Sequence, residues 1–338
     1  MRQVWIPKTG GPDVLEVREA ADPTPGLGEV RIRVAASGVN FADLMARVGL
    51  YPDAPPLPAV VGYEVAGTID AVGAGVTRLK VGDRALSLTR FGGYTDTLIA
   101  PEGQVQPIPD MLTFEKAAAI PVNYLTAWLM LVKLGAVAKG DTVLVHAVAG
   151  GVGQAALQIC KHRGATVIGT ASGSKHARLK ELGVSECIDY TKVDFAEEVK
   201  RITGGRGVDI ALDAVGGASF KKSYRALGPM GRLYLFGVSS FAPGDRRSIF
   251  SALSGLLSMP RFGPIGLMND NKGVMGVNLG HLWDRAAELS AMLVEIGELV
   301  SQGHLDPVVD STYPFAEAAK AHARLHSRQS FGKVLLVP

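Results

Sequence analysis

Residues 143–153 read Val143-Leu144-Val145-His146-Ala147-Val148-Ala149-Gly150-Gly151-Val152-Gly153, an apolar run that leads into a cluster of glycines. The run predicts a buried strand, and the glycines predict a tight turn into a helix. Glycines at such a turn let the backbone approach a pyrophosphate, whose charge suits the N–H groups and the dipole at a helix start. The alternative is a turn that binds no ligand, because Val148 replaces the first glycine of G-x-G-x-x-G.

The chain beyond this turn repeats the order of strand, turn and helix. The sequence predicts strands at 142–145, 166–170, 209–213 and 232–236, and helices at 151–163, 175–182 and 218–227. Such alternation is typical of βαβ units, a parallel sheet and right-handed crossovers. Because several units follow the glycines, a dinucleotide-binding turn is favoured over a ligand-free one, and the fold class is predicted to be α/β.

The two ends of the chain have a different pattern. Runs such as Val30-Arg31-Ile32-Arg33-Val34, separated by Gly and Pro, predict antiparallel strands within residues 1–118. An alanine-rich stretch over 113–134 predicts helix despite Pro121. The last part predicts a strand at 274–279 on a sheet edge, a helix at 284–301, a helix opened by Pro314 and a strand at 333–337. We expect this tail to rejoin the first domain.

Composition narrows the class of protein. A chain of 338 residues suggests about two domains, and 47% hydrophobic with 20% charged residues argues against disorder. The net charge is 35 minus 32, or +3, with scattered basic residues, so nucleic acid is a poor candidate ligand. Cys160 and Cys187 cannot build a disulfide framework, which suggests a reducing, cytoplasmic location. No apolar signal core or membrane span is predicted.

The cofactor is predicted from the end of the second strand of the α/β domain. In such domains an acidic residue about 20 residues beyond the glycines binds the ribose 2′-hydroxyl of NAD. Here the stretch is Ser172-Gly173-Ser174-Lys175, with two hydroxyls and an ammonium but no carboxylate. These groups suit a 2′-phosphate, so NADPH is predicted rather than NADH, although Lys175 would also suit a solvated helix start. His146 is interpreted as a core residue.

Several motifs resemble the medium-chain dehydrogenase/reductase superfamily. They are Gly62-Tyr63-Glu64-Val65-Ala66-Gly67, Val72-Gly73-Ala74-Gly75-Val76, Val81-Gly82-Asp83-Arg84, the glycine turn itself and the closing Gly332-Lys333-Val334-Leu335-Leu336-Val337-Pro338. The segments Gly38-Val39-Asn40-Phe41-Ala42-Asp43 and Val48-Gly49-Leu50-Tyr51-Pro52 resemble its quinone oxidoreductase branch. Residues 169–176 and 277–282 are more similar still to vesicle amine transport protein homologues.

The resemblance implies a Rossmann doubly wound parallel sheet and a GroES-like, mainly β catalytic domain. The catalytic domain would comprise residues 1–122 and 283–338, and the NADPH-binding Rossmann domain would span 123–282. Alcohol dehydrogenases of this superfamily use a catalytic zinc, but Asn40, Tyr63 and Val122 stand where its ligands would be. With only two cysteines and no structural zinc lobe, no metal site is expected.

The resemblance also implies the residues of the site. For catalysis these are Asn40 and Tyr51 as hydrogen-bond donors, although Asn40 could simply cap a turn and Tyr51 could be a rim aromatic. Ser172, Ser174, Lys175 and Tyr190 would surround the 2′-phosphate, and Gly237 with Val238 would lie beside the carboxamide. The full set implied for the cofactor is Asn40, Thr126, Ala149, Gly150, Gly151, Val152, Gly153, Ser172, Ser174, Lys175, Tyr190, Gly216, Gly237, Val238, Asn278 and Lys333.

The function implied is zinc-independent hydride transfer from NADPH to a conjugated acceptor, followed by protonation. The acceptor would be the C=C of an α,β-unsaturated carbonyl, or a quinone, because conjugation spreads the charge that zinc would otherwise stabilise. One alternative is an enoyl-CoA or enoyl-thioester reductase. Another is a non-enzymatic NADPH-binding protein that acts at membranes.

The apolar segment 248–268 contains breaks such as Pro260 and Pro264, so it does not predict a membrane span. It predicts a lid over an elongated substrate site or a contact between subunits. A strand at a sheet edge makes a homodimer the expected oligomer.

Overall fold

A computed structural model describes residues 1–242, 244 and 249–338, and for residues 249–252 it describes the backbone only. The described residues form two compact units. The first contains Met1–Leu125, Gly244 and Gly280–Pro338, and the second contains 126–242 and 249–279. The predicted domain limits, 122/123 and 282/283, stay a prediction.

Strands predominate in the first part of the chain, and strands alternate with helices from β9 onward. The strands are β1 (Arg2–Ile6), β2 (Glu16–Glu19), β3 (Glu29–Val39), β4 (Ala59–Val60), β5 (Glu64–Val72), β6 (Arg84–Leu88), β7 (Thr97–Pro101), β8 (Val105–Pro107), β9 (Thr142–Val145), β10 (Thr166–Ala171), β11 (Glu186–Asp189), β12 (Val208–Asp213), β13 (Leu227–Leu235), β14 (Gly273–Gly276), β15 (Val309–Pro314) and β16 (Lys333–Val337). The helices are α1 (Phe41–Arg47), α2 (Phe114–Ala118), α3 (Pro121–Trp128), α4 (Gly151–Arg163), α5 (His176–Glu181), α6 (Phe195–Ile202), α7 (Ala218–Ala226), α8 (Ile249–Leu257), α9 (Pro264–Asp270), α10 (Ala286–Ser301) and α11 (Ala318–His326).

The first unit is built on antiparallel strands, as predicted. Its larger sheet has the order β15-β16-β3-β5-β6-β8, with β7 also paired to β3, and its smaller sheet has the order β2-β1-β4. Alternate residues of β3, Val30, Ile32 and Val34, are buried in its core. The prediction that the tail rejoins this unit is confirmed, since Leu335 of β16 pairs with Gly38 of β3.

The second unit is a parallel sheet in the order β11-β10-β9-β12-β13-β14. Read in the unit's own strand numbering, this is the 3-2-1-4-5-6 order of dinucleotide-binding folds. Leu144, Ile168, Ile188, Ala211 and Leu233 supply buried core side chains from five of the strands. The doubly wound sheet predicted from the sequence is confirmed, and β14 lies at its edge as expected.

Several element boundaries differ from the predictions. Pro121 begins α3 rather than interrupting a helix, because a proline lacks only an N–H that is unpaired at a first helical turn. The helix predicted after Pro314 is present: Pro314 ends the edge strand β15, where it pairs with Val337, and it is also the N-cap of a 3-10 turn, Phe315–Glu317, that leads into α11. Strand β13 begins at Leu227, five residues before the predicted Arg232, because Leu227 pairs with Val208 ahead of a bulge and the regular pairing with β12 starts at Arg232.

Candidate active site

The glycine turn of the second unit has the geometry predicted for it. Strand β9 ends at Val145, Ala147 has a left-handed φ of 49°, and Gly150 precedes the first residue of α4. A Cβ at Gly153 would lie 2.5 Å from the Ala147 carbonyl oxygen and 2.6 Å from the Val148 Cα, so only glycine fits there. The backbone is therefore closely packed at the start of α4, where the N–H groups of the first turn and the helix dipole suit a bound phosphate.

His146 is buried next to this turn, which agrees with its interpretation as a core residue. Its Nδ1 lies 3.1 Å from the Thr170 hydroxyl and its Nε2 lies 2.9 Å from the Ser223 hydroxyl. The Thr170 hydroxyl also accepts the N–H of Ala147 at 3.2 Å. Burial lowers the pKa of His146, against the opposing effect of the Asp213 carboxylate. The neutral ring therefore links the strand end to the start of the turn.

The predicted 2′-phosphate residues gather at the ends of two neighbouring strands. Residue Ala171 of β10 is paired with Asp189 of β11, so Ser172 and Tyr190 follow at the same sheet edge. The hydroxyls of Ser172 and Ser174 lie 3.4 Å apart, and Tyr190 is 41% exposed. Lys175 ends the 3-10 turn that begins at Gly173.

Two residues at this edge were missed by the sequence reasoning. The Asp189 carboxylate accepts the N–H of Gly173 at 3.1 Å and the Thr191 hydroxyl at 2.6 Å, and the Thr191 bond leads the causes that lower its pKa. The Lys192 ammonium lies 3.6 Å from it. Asp189 shapes the Ser172 turn, and Lys192 adds a second cation at the edge. The sequence signal that could have identified both residues is a neighbouring parallel strand, β11, that ends in a carboxylate.

The remaining predicted cofactor residues follow β12, β13 and β14. A Cβ at Gly216 would lie 3.0 Å from the Val238 Cα, and a Cβ at Gly237 would lie 3.1 Å from the Ala214 side chain. The turns after β12 and β13 therefore touch each other. Asn278 is exposed just beyond β14, and Thr126 is buried within α3.

A buried polar network surrounds Asn40 in the first unit. The Asn40 Oδ1 accepts from the Lys333 ammonium at 2.6 Å, and its Nδ2 donates to Glu64 Oε1 at 3.0 Å. Lys333 forms an ion pair with Glu64, and the two side chains are 3% and 0% exposed. The other Glu64 oxygen accepts the N–H of Val122 at 2.7 Å. The structure thus brings together the predicted residues Asn40 and Lys333 through Glu64, whose role the sequence reasoning missed.

A second buried chain of bonds begins at Asp43. Its carboxyl accepts the Asn40 N–H at 2.8 Å, the Gly62 N–H at 3.1 Å and the Tyr94 hydroxyl at 3.0 Å. Tyr94 in turn lies 3.1 Å from His322 Nε2. Burial raises the pKa of Asp43 to about 7 and lowers the pKa of His322 to about 3.

Tyr51, the second predicted donor, lies in the loop after α1, where it packs against the core of the first unit. Burial raises the pKa of its hydroxyl, so the hydroxyl keeps its proton near neutral pH. Asp53, two residues on, accepts from His281 Nε2 at 2.7 Å. This contact ties the Tyr51 loop to the residue that follows Gly280.

The donor set around Glu64 does not suit zinc. Asn40, Tyr63 and Val122 supply neither thiolate nor imidazole, and both Glu64 oxygens already accept bonds. Within residues 1–242, 244 and 249–338, no three His, Cys, Asp or Glu side chains come together as a metal site.

The apolar segment predicted at 248–268 begins outside the described residues at Ser248. Its described part forms α8 and α9, and the side chains of Leu257 and Met268 are 78% and 73% exposed. In the part of the chain that the structure covers, no helix is long and apolar enough to cross a bilayer.

The chain matches two protein families along its length. Residues 26–110 match the alcohol dehydrogenase GroES-like domain, and residues 182–336 match the zinc-binding dehydrogenase family.

Three similar proteins cover most or all of the chain. The synaptic vesicle membrane protein VAT-1 homolog of Homo sapiens is 42% identical over 96% of this chain and 82% of its own. The quinone oxidoreductase of Pseudomonas aeruginosa is 36% identical over 100% of this chain and 99% of its own. The crystal structure of Escherichia coli quinone oxidoreductase complexed with NADPH has a TM-score of 0.87 at 31% identity, with 100% of both chains covered.

Proposed function

The chain belongs to the medium-chain dehydrogenase/reductase superfamily, and on that basis we propose that it is a zinc-independent, NADPH-dependent reductase of conjugated acceptors. The acceptor is the C=C of an α,β-unsaturated carbonyl, or a quinone. The observation that carries the proposal is the buried network of Asn40, Glu64 and Lys333, in which Asn40, expected at a zinc-ligand position, is bonded instead to a lysine and a carboxylate.

The second unit would hold the cofactor. The glycine turn at the start of α4 offers backbone N–H groups to a pyrophosphate, and the cations Lys175 and Lys192 lie at the edge where a 2′-phosphate is expected. When bound, NADPH supplies the hydride. We assign to this binding role the predicted residues of the second unit, which are Thr126, Ala149, Gly150, Gly151, Val152, Gly153, Ser172, Ser174, Lys175, Tyr190, Gly216, Gly237, Val238 and Asn278. The cofactor contacts predicted for Asn40 and Lys333, which belong to the first unit, stay a prediction.

The first unit would stabilise the acceptor. Reduction of a conjugated carbonyl places negative charge on its oxygen, and fixed donors stabilise that charge in a water-poor site. Tyr51 keeps its proton and can donate. The Asn40 Nδ2 donates to Glu64 at 3.0 Å and to the Gly38 carbonyl at 3.5 Å, and an acceptor oxygen would replace the longer of these bonds. Lys333 acts here as a positioning residue, because its ammonium is bound to Asn40 and Glu64.

The test is NADPH consumption by the purified chain with a quinone, an enone, a short branched enoyl-CoA and a simple ketone. We expect turnover with at least one conjugated acceptor, none with the ketone, and no loss of rate after dialysis against a chelator. Turnover confined to enoyl-CoA would favour the enoyl-thioester reductase alternative. Failure with every acceptor would contradict the proposal and favour a binding role.

Three features beyond the reaction belong to the same proposal. The edge strand β14 supports a homodimer, and an exposed α8 and α9 support a lid or a subunit contact. The scarcity of cysteine supports a cytoplasmic location.

A further inference from the structure

Tyr63 carries a hydroxyl that is buried without a partner. The residue is 8% exposed, and its Oη has no hydrogen-bond partner among the described residues. A buried hydroxyl left unbonded opposes folding, because it loses its bonds to water and gains nothing in return. A buried hydroxyl without a hydrogen bond therefore calls for a structural or functional explanation.

The backbone around Tyr63 is fixed on both sides. The Tyr63 carbonyl accepts the Thr89 N–H at 2.8 Å, and the neighbouring Gly62 is bonded to Asp43 at 3.1 Å and to Gly93 at 3.1 Å. A Cβ at Gly62, whose φ is 99°, would lie 2.6 Å from the Tyr94 ring. The two loops are thus packed too closely for Tyr63 to move its backbone toward another acceptor.

The ring of Tyr63 is also in contact with other aromatic groups. Its centroid lies 5.0 Å from that of Phe91, with the two planes inclined by 48°. The Tyr51 and Tyr63 hydroxyls are near enough for an interaction of hydrogen-bond type to lower the pKa of Tyr51 and raise that of Tyr63, yet the Tyr63 hydroxyl has no described partner at the distance and angle of a full hydrogen bond. Burial raises the pKa of both, so both keep their protons and act as donors.

Two protonated phenols thus lie near each other, and the Tyr63 hydroxyl has no full hydrogen bond to any described residue. We propose that Tyr63 and Tyr51 together bind one oxygen of the acceptor, which makes Tyr63 a further catalytic residue of this chain. The oxygen is that of a carbonyl or quinone, on which negative charge develops as the acceptor is reduced. The inference rests on the proposed function, and it adds two hydrogen bonds but no new covalent step.

The first experiment replaces Tyr63 by Phe, which removes only the hydroxyl. The matched control is Tyr234→Phe, because the Tyr234 hydroxyl in β13 is likewise buried with no partner among the described residues. For Tyr63→Phe we expect an unchanged or higher Tm and a loss of roughly 10- to 100-fold in kcat/KM, mostly in kcat. For Tyr234→Phe we expect an unchanged kcat/KM. A Tyr63→Phe variant with the kcat/KM of the wild type would overturn the proposal.

A second comparison separates direct contact from an effect transmitted through Tyr51. In a Tyr51→Phe background, direct contact predicts that Tyr63→Phe lowers kcat/KM further. If Tyr63→Phe has an effect only while the Tyr51 hydroxyl is present, Tyr63 merely positions Tyr51 and the shared oxygen site is wrong.

A binding measurement keeps the inference separate from the proposed reaction. Para-nitrophenolate carries an oxyanion and needs no turnover to be detected. We expect the Tyr63→Phe variant to bind it roughly 10-fold more weakly than the wild type, and equal binding would overturn the oxygen site. Absence of turnover by the wild type with every acceptor would instead contradict the proposed function and leave this titration to decide on Tyr63.

Discussion

The Lys333 ammonium lies 2.6 Å from the side-chain oxygen of Asn40, which joins the last strand of the chain to the end of β3. The same ammonium is paired with the buried Glu64 carboxylate, which accepts from the Asn40 Nδ2. Since a cation faces one end of the amide and a carboxylate faces the other, only one orientation of the Asn40 amide satisfies both. That orientation directs the amide nitrogen to Glu64 at 3.0 Å and to the Gly38 carbonyl at 3.5 Å.

Removal of the Lys333 cation tests how much the network stabilises the fold. We expect Lys333→Met to lower the free energy of unfolding by about 3 kcal/mol or more, because Glu64 would be left buried without a counterion. Adding Glu64→Gln should restore much of this loss. The matched control is Lys320→Met, which breaks the exposed pair with Glu317 and should change stability by less than about 1 kcal/mol. Urea denaturation measures all four proteins, and equal losses for the two lysines would contradict a buried pair.

Replacement of Tyr51 by Phe tests its role as a donor. We expect kcat/KM to fall roughly 10- to 100-fold with little change in NADPH affinity, because the hydroxyl bonds the acceptor and not the nucleotide. The control is Tyr313→Phe in β15, a tyrosine that is also half-buried in the core of the first unit. Steady-state kinetics of both variants decide the point, and full turnover by Tyr51→Phe would rule out the donor role.

The choice of NADPH over NADH is tested at Lys175. We expect Lys175→Met to weaken NADPH binding roughly 10-fold and to leave NADH binding unchanged, because a charge-assisted bond to the 2′-phosphate is lost. Lys180→Met, on the exposed surface of α5, serves as the control. Nucleotide fluorescence titrations of the wild type and both variants give the six affinities. A parallel loss for both nucleotides would mean that Lys175 does not recognise the 2′-phosphate.

His322 predicts a pH dependence of stability. Burial lowers its pKa from 6.5 to about 3 in the folded chain, so the unfolded chain takes up a proton that the folded chain refuses. The contribution of His322 to stability is therefore full above pH 6.5 and is lost as the pH falls toward about 3. We expect the free energy of unfolding of the wild type to fall more steeply with acid than that of His322→Gln.

The contribution of Asp43 to stability changes with pH in the opposite direction to that of His322, so the experiment needs a control. Burial raises its pKa from 3.8 to about 7, so its contribution to stability falls as the pH rises between those values. The difference between the wild type and His322→Gln removes this common effect. His304→Gln, at an exposed position after α10, should follow the wild type at every pH. Parallel curves for His322→Gln and the wild type would show that His322 is not neutral in the fold.

The parallel sheet could be predicted closely because its signals are local. An apolar run before Ala147 and glycines after it require a strand, a close-packed turn and a helix, and the structure has β9 and α4 at those positions. The boundary errors arose where a local signal had two meanings. Pro121 can interrupt a helix or begin one, and the structure has it at the start of α3.

The polar network of the first unit could not be predicted in the same way. Lys333 and Asn40 are far apart in the chain, and a sequence without known pairings does not say that β16 lies beside β3. Lys333 was therefore predicted to contact only the cofactor, and Glu64 was given no role. The unbonded Tyr63 hydroxyl is likewise a property of packing, since any surface tyrosine would be bonded to water.

The most direct test of hydride transfer to a conjugated acceptor uses NADPH that carries deuterium at the transferable position of its nicotinamide. The chain is incubated with this cofactor and an enone, and the label in the product is located by NMR. The account predicts a saturated ketone with deuterium on the β-carbon. An alcohol with deuterium on the former carbonyl carbon would contradict it.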